Sequence, residues 1–132
     1  MEIVFLCRAA ALPENHDHDL GVLERTDHSL VILNRYPYTN GHLLIAPLQH
    51  QATLQEIDAP VLLDLQQQLA AWCQRLTKAI EAQGFNIGLN LGQVAGAGVP
   101  GHLHWHLVPR WPGDVNFMTS VAGVRVIPQA LD

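Results

Sequence analysis

The chain has 132 residues, 48% of them hydrophobic and 14% charged, with a formal net charge of −5. That length holds one real core but is short for two, and the composition excludes a disordered chain. The acidic balance disfavours nucleic-acid backbones as partners except through a local basic pocket, and no apolar run reaches the roughly 18 residues of a membrane span.

Taken in order, the chain opens on an irregular lead-in, about residues 1–20. Glu2 stands where a secretion signal wants a base, so a cytoplasmic location is the expectation. Pro13 and the run Glu14–Asp19 favour loop, with His16 and His18 read as solvated. Cys7 and Cys73 are the only cysteines, which argues against a disulfide framework. Residues 21–24 suggest a short strand, Asp27-His28 a turn, and 29–33 a strand rich in Leu, Val and Ile. A loop punctuated by Pro37 and Asn40-Gly41 leads to a second strand, His42 to Pro47, and the two make an antiparallel hairpin plausible. Taken alone, Asn34 reads as a turn residue and His42 as a hydrogen-bonded structural histidine.

From Leu54 to about Gln83 the period changes. Leu62, Leu65, Leu69, Trp72, Cys73, Leu76 and Ile80 recur at spacings of three and four, which predicts one long amphipathic helix with a buried stripe. Asp58 is placed to cap it, Pro60 suits its first turn, and Gly84 is the expected stop. Residues 85–91 alternate as a strand, with Asn86 and Asn90 on the side opposite Ile87, Leu89 and Leu91. A glycine-rich turn, 92–101, follows; such turns let backbone N–H groups approach phosphate oxygens, and they also serve as plain hairpin loops.

The next stretch, Gly101-His102-Leu103-His104-Trp105-His106-Leu107-Val108-Pro109-Arg110, organises the reading. In an extended strand His102, His104 and His106 share one face about 7 Å apart, and Leu103, Trp105 and Leu107 face the core. This predicts a row of imidazoles on a solvent-facing wall. Imidazole titrates near neutrality, so such a row suits acid–base or nucleophilic chemistry. It also suits zinc, and a merely polar strand has the same spacing. Arg110 fits a phosphate contact or an ion pair equally well. Residues 124–127 suggest an edge strand inside a C-terminal tail, about 119–132.

His102-Leu103-His104-Trp105-His106-Leu107-Val108 resembles the signature of the histidine triad (HIT) family, in which three alternate histidines are followed by two hydrophobic residues. Pro109-Arg110-Trp111, Gly113-Asp114 and Asn116-Phe117 resemble the bacterial group of that family that includes diadenosine tetraphosphate phosphorylases. The resemblance covers most of Leu30 to Met118. It implies an enzyme in which His104 attacks the α-phosphorus of a dinucleoside polyphosphate or nucleoside phosphoramidate. His106 would donate a hydrogen bond to the phosphate or leaving group, and His102 would help hold His104 in register with His42. Gly41-His42 resembles the pair opening the family's second strand.

By position, Asn34 resembles a ribose contact and Asn90 a residue that binds the nucleotide and its phosphate. Gly98 and Val99 fall where relatives bind phosphates, and Gly98 stands where well-studied branches have Gln, which leaves that contact to the backbone. The resemblance implies no cofactor for the transfer step, with Mg²⁺ arriving on the substrate, and a homodimer joined through one continuous sheet. Cys7 resembles the second member of a Cys-x-x-Cys zinc pair whose first position here is Val4, and His50 resembles a third ligand. With one thiolate missing, that set falls short of a closed four-ligand site, and no metal residue is assigned. The expectation is one α+β domain over residues 1–132, an antiparallel sheet with one long helix across it. The alternative function is a metal-binding or nucleotide-binding regulatory protein without turnover.

Overall fold

A computed structural model describes residues 21–34, 41–96 and 101–114. Within them the chain forms β1 (Val22–Arg25), β2 (Ser29–Leu33), β3 (Leu43–Pro47), α1 (Ala59–Ile80), β4 (Gly84–Leu89) and β5 (Trp105–Arg110). The strands make one sheet in the order β1-β2-β3-β5-β4, every neighbouring pair antiparallel. The α+β expectation holds, with α1 laid across β2, β3 and β5. The tail strand expected at 124–127 lies outside the described residues.

Alternation along the strands separates two faces. Val31, Leu43, Ile45, Leu103, Trp105 and Leu107 point at the helix and pack with Leu65, Leu69 and Leu76. The predicted helical stripe is the one buried: Leu62, Trp72, Cys73 and Ile80 pack around the same cluster. Each fully buried aliphatic side chain here contributes about 1.5–3 kcal/mol of transfer free energy. Gln68 departs from the solvated glutamines around it, because it is buried on α1.

The helix starts where the Asp58 cap and Pro60 place it and ends at Ile80, a few residues before the expected stop. Leu54–Glu56 is a separate 3₁₀ turn, held by the Glu56 carboxylate, which accepts from the N–H groups of Ala52 and Thr53 at 3.1 and 2.9 Å. Asp58 occupies the N-cap position in extended conformation, as expected. Gly84 is not the stop; it opens β4, and Glu81 takes the left-handed conformation at the C-cap with φ 57°. A polar residue with room at a surface corner meets that need as glycine would.

On the other face, cross-strand register aligns Val22, Ile32, Leu44, His106 and Gly88 in one row. One step along, β3 continues back to His42 beside Asn34, whose backbone N–H donates to the His42 carbonyl at 3.0 Å. Leu30, Ile32 and Leu44 are buried on this face although they lie outside the helix-facing cluster.

Candidate active site

β5 begins only at Trp105, so His102 and His104 precede the strand and His106 lies within it. The approach to β5 is fixed by backbone: the Leu103 N–H donates to the Gln51 carbonyl at 2.7 Å. The expected wall is not solvent-facing. His42, His102, His104 and His106 are 0%, 1%, 6% and 8% exposed. Leu30, Ile32 and Leu44, on the same sheet face, are buried as well.

Each ring is held by a specific partner. His104 Nδ1 donates to the His102 carbonyl at 3.0 Å, and His102 Nε2 donates to the Pro47 carbonyl at 2.9 Å, since a carbonyl only accepts. His106 Nδ1 lies 3.0 Å from His42 Nε2, and His42 Nδ1 lies 3.2 Å from the Asn34 side-chain nitrogen. Ring centroids are 5.0 Å apart for His104 and His106 and 5.2 Å for His42 and His106. It is thus the His102 backbone carbonyl that bonds His104, while His42 is bonded to His106.

Burial favours the neutral form of His42, His102 and His106. Loss of hydration pushes His42 down to about 4 and His106 to about 3, with the nearby His104 ring adding to both and His42 adding to His106. His102 is lowered as well, chiefly by burial. A neutral imidazole with Nδ1 protonated carries its lone pair on Nε2. In its neutral form His104, whose Nδ1 is bonded to the His102 carbonyl, therefore carries its lone pair on Nε2, beside the neutral His106 ring.

The remaining predicted residues divide. Asn34 and His42 join the histidine cluster. Asn90 follows β4, and its side-chain nitrogen donates to the Gly96 carbonyl at 3.3 Å, closing the 92–96 turn on itself. Gly98, Val99, Cys7 and Asn116 lie outside the described residues. His50 packs its ring edge-on against His102, centroids 5.4 Å apart, and among the described residues no three His, Cys, Asp or Glu side chains converge as a metal requires. Arg110 takes the ion-pair reading: its Nε and a terminal nitrogen clasp Asp114 at 2.6–2.9 Å, and another terminal nitrogen donates to Asn86. The clasp holds the Asp114 carboxyl below its usual range.

Two groups escaped the sequence reading. The Pro47 and Gln51 carbonyls leave no residue-type signal at all. The burial of Leu30, Ile32 and Leu44 on the histidine face did leave one, because Leu30-Val31-Ile32-Leu33 is apolar at both parities, as strands covered on both faces are.

The sequence model of the HIT domain matches residues 15–113. The chain belongs to the histidine triad family. It is 40% identical over 125 residues to an AP-4-A phosphorylase of Mycobacterium tuberculosis, across 91% of this chain and 62% of that protein. The chain thus spans less than two thirds of the length of that curated relative. It is 34% identical over 88 residues to adenosine 5'-monophosphoramidase of Saccharomyces cerevisiae, across 67% of this chain and 52% of the relative. A crystal structure of a hypothetical histidine triad nucleotide-binding protein from Sulfolobus tokodaii superposes with a TM-score of 0.70 at 27% identity, over 83% of this chain and 70% of the other. Among the described residues no helix is long and apolar enough to cross a membrane.

Proposed function

We propose that the chain is a nucleotide hydrolase or nucleotidyl transferase acting at the α-phosphate of a dinucleoside polyphosphate or nucleoside phosphoramidate. One observation carries this reading: His104 Nδ1 is engaged by the His102 carbonyl, which in the neutral ring puts the lone pair on Nε2, inside a buried cluster where His42 and His106 are held neutral. The relatives, one a phosphorylase and one a phosphoramidase by name, share a break at a nucleotide phosphate.

In the reaction, the His104 Nε2 lone pair attacks the α-phosphorus. The bond from phosphorus to the leaving oxygen or nitrogen breaks, and its electron pair departs with that group; a phosphate leaves as the anion, whereas a nitrogen takes up a proton from solvent and leaves as the amine. The product is a nucleotidyl-histidine, with the positive charge on the ring spread toward Nδ1–H and the His102 carbonyl. His106 donates a hydrogen bond to the charge gathering on the phosphate oxygens. Water or inorganic phosphate then attacks phosphorus from the opposite side, the N–P bond breaks, and the lone pair returns to Nε2. None of these steps calls on a metal; Mg²⁺ accompanies polyphosphate substrates as their counter-ion.

The test is trapping. Acid-labile, base-stable AMP should appear on His104 when turnover of adenosine phosphoramidate is quenched, with EDTA present throughout. His104→Ala should trap none and lose several orders of magnitude in rate. Activity that chelation abolishes and zinc restores, with no adduct, would replace this reading with a metal site. Full binding of nucleotide with no turnover would replace it with a regulatory role.

The working unit is a cytoplasmic homodimer. Support comes from β4, which pairs with β5 on one side only among the described residues and carries an exposed Ile87. Light scattering at micromolar concentration should give about twice the chain mass of 14.6 kDa; a single-chain mass throughout would refute it.

A further inference from the structure

The histidine that faces the phosphate has two tautomers, and only one is useful. With the proton on Nε2 it donates to a phosphate oxygen; with the proton on Nδ1 it turns a lone pair on an anion. We propose that Asn34 is a positioning residue: its side-chain N–H sets the tautomer of His42 and, through it, that of His106, so that His106 presents an N–H to the substrate phosphate. The proposal rests on the nucleotide reading above.

The chain of inference runs through three atoms. The Asn34 side-chain nitrogen only donates, so His42 Nδ1, 3.2 Å away, accepts. His42 then carries its one proton on Nε2, which lies 3.0 Å from His106 Nδ1. His106 Nδ1 must accept, so the His106 proton sits on Nε2, the ring nitrogen that His42 does not hold. All three residues are buried, so water does not compete to scramble the order. Both rings are held neutral by that burial, and each therefore has a single proton to place. His104 is fixed by a separate bond, to the His102 carbonyl. The site thus holds two neighbouring imidazoles locked in opposite tautomers, one offering a lone pair and one offering a proton, and the two locks are independent. Were the Asn34 side chain turned so that its oxygen faced His42, every donor in the relay would reverse and His106 would repel the phosphate.

Nitrogen-15 spectra of the imidazoles in the free protein read the tautomers without any substrate. His42 and His106 should both be protonated on Nε2, and His104 on Nδ1. In Asn34→Asp, which keeps the shape and replaces the donor by an acceptor, the His42 proton should move to Nδ1. Calorimetric binding of AMP and of adenosine then separates this role from a ribose contact. In Asn34→Leu, with folding verified by the same spectra, the preference for AMP over adenosine should fall about tenfold or more, the scale of a hydrogen bond to a charged group. A residue that merely touched the ribose would weaken both ligands alike and leave that preference unchanged. Wild-type His42 protonated on Nδ1, or an unchanged AMP-over-adenosine preference in Asn34→Leu, overturns the proposal. If the wild-type tautomers are as stated but neither AMP nor adenosine binds, the nucleotide reading falls and the relay stands.

Discussion

Gly41 shows how a single residue without a side chain places the catalytic ones. Its φ of +81° is a conformation that L side chains rarely adopt, and a Cβ built there would lie 2.8 Å from Ile80 Cδ1 and 3.2 Å from Pro109 Cγ. The chain needs this close approach to enter β3 with His42 buried against His106. Gly41→Ala should therefore cost about 1–3 kcal/mol, from strain and overpacking together. The cost should appear in the urea midpoint, and kcat should fall as His42 shifts; a variant as stable and as active as the parent would contradict this. At this scale the sequence was informative about identity and silent about partners. The triad stood out by type and spacing, and Gly41-His42 and Asn34 only through the family resemblance. That His104 leans on a main-chain carbonyl and His106 on His42 depends on which strands meet, and period-two alternation carries no record of that. Burial of the row was missed for the same reason: what covers a strand face belongs to other parts of the chain.

Among elements, the start of α1 was legible, with Asp58 at the N-cap, and its end was not, since Glu81 rather than Gly84 makes the stop. Ahead of the helix, Thr53 and Glu56 form a local turn that satisfies its own N–H groups and lets the chain change direction before Asp58. The stripe from Leu62 to Ile80 was legible because a surface helix must put apolar residues at three- and four-residue spacing to bury one side. A polar clasp then fixes where the helix sits on the sheet. Asp64 on α1 accepts hydrogen bonds from Thr26, at 2.9 Å, and from Ser29, whose side chain is buried at the start of β2. Asp64→Ala removes the acceptor and leaves the buried Ser29 hydroxyl with its Thr26 neighbour at 3.1 Å as partner. The expected loss is about 1–3 kcal/mol in chemical denaturation. The histidines hang on β3 and β5 rather than on this corner, so KM should stay within about twofold of the parent. A large KM effect with little loss of stability would mean that the corner acts on the site directly.

For the molecule as a whole, a neutral buried histidine cluster makes the fold sensitive to mild acid. His42 and His106 are held near 4 and 3 in the folded chain, against an ordinary value of 6.5, and His102 is lowered too. Above pH 6.5 the rings are neutral folded or unfolded, and the full stability is present. As pH falls from 6.5 toward 4, the unfolded chain takes up protons that the folded chain refuses. Stability must then fall, by up to about 1.4 kcal/mol per pH unit for each such ring. The depressed carboxylates, Glu56 and Asp114, act lower down: their stabilisation is present above the ordinary carboxylate range and is lost only as pH falls below it. The window between pH 6.5 and 4.5 therefore isolates the histidines. Urea midpoints measured across it, at one protein concentration so that any association is held constant, should decline steadily. His106→Asn, which cannot titrate there, should reduce the slope by about one proton. A midpoint flat from pH 7 to 4.5, or a slope that His106→Asn leaves unchanged, would mean that the rings are charged in the folded chain, and a charged His106 would no longer need Asn34 to choose which of its nitrogens carries the proton.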